Sequence, residues 1–237
     1  MIKEVVILAG GEGKRLKESL KDEKLKELPK PLVPVLGKPI IKYCIDAVYD
    51  YVEKIIIVIN PNKEKYFEEI KNDKIVFTYQ EKPLGTANAL YCAKDFIEND
   101  LFLVMMGDDI IIDDFEKILK INYPCVFGYE VEDVSNFGAL IIKDGFLERI
   151  VEKELSGKGI ANVGMYIMHK KFFEIYNQIP ISSKGEYYLT EAPRILKNYG
   201  INFKVEKVKF WFPVNNYEEL KKAEIFIEKI RKIVNIE

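Results

Sequence analysis

An α/β fold, with a mostly parallel central sheet that continues into antiparallel strands, is the fold class this sequence predicts. Three observations carry it. Short apolar runs such as Val5-Val6-Ile7-Leu8 and Ile55-Ile56-Ile57-Val58-Ile59 read as strands buried on both faces. Helical patterns alternate with those runs through the first half of the chain, which points to right-handed βαβ units. In the second half strands follow strands, and Asp144-Gly145 is a hairpin turn between two of them. No linker, repeat or low-complexity tract interrupts the chain, so residues 1–237 are expected to form one domain.

The elements follow in order. A first strand ends at Leu8. Pro39 sits where a helix begins, and Ile40, Ile41, Cys44, Ile45, Val48 and Val52 recur at helical spacing. Residues 54–59 are a second strand, and Pro61 opens a polar helix to Ile70. Residues 75–79 are a third strand, after which Thr86 is expected to cap a helix reaching Phe96. A fourth strand over 101–106 ends in Gly107-Asp108-Asp109, and Asp113-Asp114 reads as the cap of the next helix. Strands over 126–131, 138–142, 146–151 and 160–168 follow. Helices near 170–177 and 188–198, a strand at 201–208 and an amphipathic helix over 217–234 complete the chain.

Composition narrows the function. Hydrophobic residues make up 48% of the 237 and charged residues 31%, an ordinary soluble composition with enough length for a large core. A net charge of −2 gives no bulk attraction to nucleic acid, so no nucleic-acid partner is expected. No apolar run approaches the roughly 18 residues of a membrane span, and the N-terminus lacks a signal-peptide pattern. Cys44, Cys92 and Cys125 are odd in number and widely spaced in apolar stretches. That pattern points to buried thiols in a reducing cytoplasm, without disulfides or zinc. His169 is the only histidine, reads as a surface residue, and cannot build a triad alone.

The chemistry begins at Leu8-Ala9-Gly10-Gly11-Glu12-Gly13-Lys14-Arg15-Leu16. Glycines let backbone approach a phosphate closely, and free N–H groups with fixed cations neutralise it. Arg15 ends this loop, and Lys30 follows between Pro29 and Pro31. A P-loop fails, because Arg15 follows Gly13-Lys14 and Leu8 stands where the first glycine belongs. A dinucleotide fingerprint fails because Leu16 holds the place of the third glycine. The stretch 17–28, with Lys17, Lys21, Lys24 and Lys26, reads as a solvated, mobile flap able to close over a triphosphate.

Ligands of parallel α/β sheets bind at the carboxyl ends of the strands. Gln80 follows the third strand, and its amide offers a donor beside an acceptor, which suits a uracil or thymine edge. Gly85-Thr86 lets backbone approach the base or ribose before a helix starts. Gly107-Asp108-Asp109 brings carboxylates to the fourth strand end, where one of them is enough to hold Mg²⁺ beside phosphates. The plain alternatives are a tight turn at the Gly10–Gly13 loop, a solvated strand-end residue at Gln80 and a helix cap or turn at Gly107-Asp108-Asp109.

The ordered set of motifs carries more than any one of them. Leu8 to Leu16 is followed by Pro29-Lys30-Pro31-Leu32-Val33-Pro34-Val35 and Gly37-Lys38-Pro39. Gln80, Gly85-Thr86-Ala87, Gly107-Asp108, Phe137-Gly138, Val151-Glu152-Lys153, Asn162-x-Gly164 and Gly185-Glu186-Tyr187-Tyr188-Leu189-Thr190-Glu191 come next. Over almost the whole chain this series resembles the signature of the sugar-1-phosphate nucleotidyltransferases. The resemblance implies a Rossmann-like three-layer sandwich of the GT-A type. It implies transfer of a nucleotidyl group from a nucleoside triphosphate to a sugar-1-phosphate, with pyrophosphate released and Mg²⁺ required. By resemblance, Leu8, Ala9, Gly10, Gly11, Gly13, Gln80, Gly85 and Thr86 bind the nucleotide, and Arg15 and Lys30 are the catalytic cations on its phosphates. Gly138, Glu152 and Asn162 line the sugar pocket, and Lys153 lies near the sugar phosphate. Asp108 is a Mg²⁺ ligand.

The family's second metal ligand usually comes from a W-x-D-like stretch. Here that stretch is Trp211-Phe212-Pro213-Val214-Asn215-Asn216, with no aspartate. Val-Asn-Asn resembles the uridyltransferase domain of N-acetylglucosamine-1-phosphate uridyltransferases, so Asn215 takes the role, an amide oxygen being an acceptable hard ligand. UTP with glucose-1-phosphate or N-acetylglucosamine-1-phosphate is the expected pairing, and dTTP, CTP, GTP and other acceptors stay open. A glycosyltransferase reading lacks its Asp-x-Asp motif. A nucleotide-sensing paralogue is expected to have lost Arg15, Lys30 or Asp108, and all three are present. The helix over 217–234 is a candidate contact in a homo-oligomer, although its apolar stripe is more simply core. No appended hexapeptide-repeat β-helix, and no acyltransferase activity with it, is expected.

Overall fold

The computed structural model describes residues 1–234; residues 235–237 of the expected domain, and the side chains from 231 on, lie outside the described residues. β1 (Glu4–Leu8) leads into α1 (Lys14–Ser19) and α2 (Glu23–Glu27). A small ribbon of β2 (Pro34–Val35) and β3 (Lys38–Pro39) precedes α3 (Ile40–Val48), β4 (Lys54–Ile59) and β5 (Ile75–Tyr79). Then come α4 (Thr86–Tyr91), β6 (Leu101–Met106), β7 (Asp109–Ile112) and α5 (Phe115–Ile118). The second half holds β8 (Cys125–Val131), β9 (Gly138–Lys143), β10 (Phe146–Glu152), β11 (Gly159–His169), α6 (Phe172–Ile175) and α7 (Ala192–Lys197). It closes with β12 (Lys204–Lys207), β13 (Phe210–Pro213) and α8 (Tyr217–Val234).

Nine strands form one sheet in the order β5-β4-β1-β6-β11-β8-β12-β10-β9. β5, β4, β1 and β6 are parallel neighbours, as are β8 and β12. β11 runs against β6 and β8, and β10 runs against β12 and β9. Only β10 and β11 therefore oppose the other strands, and the sheet is mixed but mostly parallel, as expected. Val5 and Ile7 face a layer containing Ile41, Ile45 and Phe67, while Val6 and Leu8 face one containing Leu90, Phe172 and Leu196. Helices on both faces explain the unbroken apolar runs. A third cluster joins Leu16, Val33, Val35 and Ile110 to Leu220, Ala223 and Ile227 of α8. The stripe of α8 is therefore core.

The local departures have physical causes. The stretch read as a solvated flap folds as α1 and α2, because Leu16 and Leu20 are buried and Leu25 and Leu28 pack beside them. Thr86 is not a helix cap: Gly85 holds that position, and Thr86 Oγ1 accepts instead from the Leu189 N–H at 2.9 Å. The segment Pro61–Ile70 is a 3₁₀ helix, burying only Phe67 and Ile70, so little packing enforces α geometry. β7 and β13 pair with each other and had no strand expectation, being too short for a period-2 signal. Asp144 and Gly145 both have positive φ, the geometry of the expected hairpin turn. Asp114 caps α5, accepting from the Lys117 N–H. His169 is half-buried, not a plain surface residue, and its Nδ1 accepts from the Lys171 N–H at 3.0 Å. Cys44 and Cys125 are buried free thiols and Cys92 is half-buried.

Candidate active site

β1 lies between β4 and β6, so its carboxyl end delivers the glycine loop to the centre of the sheet edge. The loop ends at Gly13, whose φ of 65° starts α1. A Cβ on Gly13 would stand 2.6 Å from the Lys30 Cβ, so only glycine lets the Lys30 stem pack there. Among the described residues the N–H groups of Gly10, Gly11, Glu12 and Gly13 find no backbone acceptor. They are the kind of donors that receive an anion.

Lys30 is buried, and its Nζ donates to Asp108 Oδ2 at 2.6 Å and to Asn215 Oδ1 at 3.4 Å. Arg15 Nη2 donates to the same Asn215 oxygen at 3.3 Å. Four predicted residues from three distant segments thus converge on one point. Asn215 is held by the start of α8: its N–H donates to Glu219 Oε2 at 2.6 Å, and the Glu219 N–H donates to Asn216 Oδ1 at 2.9 Å. Asn216 and Glu219 have the Asn-x-x-Glu spacing of a capping box, which is available in the sequence, but the Glu219 carboxylate reaches one residue further back, to Asn215. Asp109 turns away, accepting from Trp211 Nε1 at 3.0 Å. Burial, then the neighbouring Asp108 charge, holds the Asp109 carboxyl well above the usual carboxylate range. Of the two adjacent aspartates, Asp108 is the one that faces Lys30.

Asp108 and Asn215 offer two oxygens to one cationic centre, here the Lys30 ammonium. Mg²⁺ accepts one or two protein oxygens and fills its octahedron with water and phosphate. The donor pair fits that ion. Among the described residues no group of three or more His, Cys, Asp or Glu gathers into an all-protein cage.

A cavity of about 430 Å³ opens beside this cluster. Leu8, Ala9, Gly10, Gly11, Gly13, Lys30, Gln80, Gly85, Thr86 and Asp108 all line it, together with Pro83, Met106, Glu186 and Tyr188. Gln80 is buried, and its Nε2 donates to Gly85 O and to Asn88 Oδ1, both at 3.0 Å. Asn88 in turn donates to the Tyr176 hydroxyl at 3.0 Å. A backbone carbonyl only accepts, so the Gln80 nitrogen is fixed on that side. The expected donor–acceptor pair is therefore corrected: the donor is spent inside, and Oε1 is the atom left for a ligand. Asn88 and Tyr176 were missed, having no motif of their own. Gly85, at φ 95°, is glycine because a Cβ would fall 2.5 Å from Tyr187 O. The backbone of Tyr187 also bonds Leu84 O and the Ala87 N–H, which stitches the 185–191 segment to the cavity.

The four predicted sugar residues do not line that cavity. Glu152 and Gly138 are partners across β10 and β9. Enclosure pushes the Glu152 carboxyl up, and Lys153 pulls it partly back. Lys153 takes a φ of 55° and donates its N–H to Phe137 O at 3.2 Å. Asn162 accepts from the Gly164 N–H at 3.0 Å and donates to the Tyr166 hydroxyl at 2.7 Å. They meet the cavity wall through Gly164, packed on Met106, and through Tyr188, whose hydroxyl feels the Glu152 charge.

A Rossmann-like sheet with a glycine loop, paired cations and a carboxylate–amide pair at its strand ends has the build of a nucleotidyltransferase. The chain belongs to the nucleotidyl transferase family, whose model matches residues 4–230. It is 36% identical over 209 residues to the bifunctional protein GlmU of Methanocaldococcus jannaschii, covering 87% of this chain and 48% of that protein. It is 28% identical over 222 residues to the UTP–glucose-1-phosphate uridylyltransferase AglF of Haloferax volcanii, covering 88% and 89%. The solved structure of HddC from Yersinia pseudotuberculosis complexed with GMP-PN is similar at TM-score 0.73 and 30% identity, covering 95% and 100%. The chain spans about half the length of the GlmU relatives it matches. Among the described residues no helix is long and apolar enough to cross a membrane.

Proposed function

We propose that residues 1–237 act as one nucleotidyltransferase unit that joins a nucleoside triphosphate to a sugar-1-phosphate and releases pyrophosphate. The observation that carries this reading is the convergence of Arg15, Lys30, Asp108 and Asn215 beside the cavity that Gln80 closes. A sugar-1-phosphate oxygen attacks the α-phosphorus in line, and the bond to the β-phosphate breaks. A phosphate monoester is already anionic near neutral pH, so no side chain needs to remove a proton. The remaining work is to hold two repelling anions in line and to meet the charge that develops. Arg15 offers a fork to the departing pyrophosphate, and Lys30 a buried point charge to the phosphates. Asp108 and Asn215 hold Mg²⁺, which when bound neutralises phosphate charge. Gly138, Glu152, Lys153 and Asn162 face the sugar phosphate from beyond Met106 and Tyr188.

The base is the finer question. Gln80 Oε1 needs an N–H, and uracil presents one at its ring N3. Thymine carries the same N3–H, so this oxygen suits UTP and dTTP alike, and it is the name of AglF that makes UTP the nucleotide of choice. Guanine also carries a ring N–H, so the same oxygen favours GTP as the second reading, in line with the ligand named for the HddC structure. The test is pyrophosphate release with Mg²⁺, pairing UTP, dTTP, CTP, GTP and ATP with glucose-1-phosphate and N-acetylglucosamine-1-phosphate. Release with UTP is the expected result. Release confined to CTP or ATP overturns the role of Gln80, and no release with any pair overturns the reaction.

A further inference from the structure

A second cavity, of about 280 Å³, shares Ala9, Gly10, Gly11, Glu12 and Lys14 with the first. Its other walls are Lys17, Pro29, Asn60 and Lys63 in place of Lys30, Gln80 and Asp108. The glycine loop is the partition between the two. Three ammonium groups border this second space. Lys14 is neutralised by Glu12 at 2.8 Å. Lys17 and Lys63 form no salt bridge among the described residues, although Lys26, Lys71 and Lys120 each find a carboxylate one helical turn away.

The fold holds these two cations near each other. Lys17 sits on α1, anchored by buried Leu16 and Leu20. Lys63 sits on the 3₁₀ helix anchored by Phe67, its ammonium 5.4 Å from the Tyr66 ring. Burial, and then the charge of Lys63, pushes the Lys17 ammonium down. Lys17 feels Glu12 only as a weaker, opposing charge, and two neighbouring cations with no carboxylate bonded to either among the described residues favour an anion that carries at least two charges. The unpaired loop amides of Gly10 and Gly11 lie on the shared wall and add donors. No carboxylate except Glu12 lines this cavity, and Glu12 is already engaged by Lys14.

We propose that this second cavity binds inorganic pyrophosphate, held by Lys17 and Lys63 across the glycine loop from Arg15 and Lys30. The source of the anion rests on the transfer reaction proposed above, whose leaving group it is. Pyrophosphate parked behind the loop is kept from the α-phosphorus, which disfavours reversal. The lysine-rich stretch after the glycine loop thereby gains a role that the nucleotide site does not give it.

The test is a calorimetric titration of the full chain with sodium pyrophosphate, with no nucleotide or sugar present. The Lys17→Gln/Lys63→Gln double variant is expected to bind roughly 10-fold more weakly or worse, as loss of charge-assisted contacts requires. Lys17→Arg/Lys63→Arg keeps the charge and is expected to keep the affinity. UMP, which has no pyrophosphate part, is expected to bind the glutamine variant as it binds the parent. Unchanged pyrophosphate affinity in the glutamine variant overturns the proposal. Loss of UTP affinity as large as that of pyrophosphate assigns the cavity to the substrate's own tail and also overturns it. Because binding is read without turnover, a chain that loses pyrophosphate affinity as expected but releases none from any substrate pair refutes only the transfer reaction.

Discussion

Two halves of one sheet treat their candidate residues differently. β5, β4, β1 and β6 are parallel, and the loops after β5, β1 and β6 fall together around one cavity, with the loop after β4 lining the second beside it. β8 to β12 mix directions, and the residues expected there to meet a sugar are engaged with their own neighbours and lie off the cavity wall. In a parallel sheet every strand ends on the same side, so residues that follow a strand in sequence are delivered to one place. In the mixed half, reversals spread strand ends over two sides, and placement depends on cross-strand pairing. The cavity side is thus built by succession along the chain, and the mixed side by contacts between distant segments.

The largest test of this contrast strikes where the halves meet. Asp108→Ala or Arg15→Ala is expected to lower turnover by roughly 10²-fold or more, as removal of a charge-stabilising group does elsewhere. Steady-state rates with UTP and the better sugar phosphate check it, and near-parent turnover would remove these residues from the chemistry. Next comes Glu152→Gln, which keeps shape but not charge. If the halves divide their labour, KM for the sugar phosphate rises about 10-fold while KM for the nucleotide stays fixed. A matching rise in the nucleotide KM would break the contrast.

The smallest effect belongs to the base of the parallel half. Burial pushes the buried Glu4 carboxyl up, but the N–H groups of Asn99 and Glu98, with Lys54 nearby, outweigh it and hold the pKa below its ordinary value. A carboxylate lowered in the folded state lends stability that is present above its unfolded value of about 4.3 and fades as pH falls through the folded value. Glu4→Gln is expected to cost about 1 kcal/mol at neutral pH and to flatten the loss of stability on acidification. Urea unfolding from pH 7 down to pH 3 measures both. An unaltered acid slope would show that Glu4 carries no such linkage.

Local order was enough to bring several of the residues read from sequence to one place. The glycine loop, Gln80, Gly85, Thr86 and Asp108 each follow a strand whose apolar run is plain, and all of them line the cavity. What failed there was the inner bonding: nothing local says that Asn88 takes the Gln80 donor, because that pairing depends on how α4 sits beside the strand end. Leu16 and Leu20 were hidden among charges, and their burial beneath α8 turned an expected flap into two helices.

By itself, then, the sequence determined the layered α/β fold, the strand ends that line the cavity and the kinds of groups present there, since apolar periodicity and turn chemistry are local properties. Only the tertiary structure decided that Lys30 spans Asp108 and Asn215, that Gln80 presents an oxygen alone, and that Lys17 and Lys63 line one second cavity. Each of those facts joins side chains from separate segments, and the packing of α1, α4 and α8 on the sheet sets the distances between them.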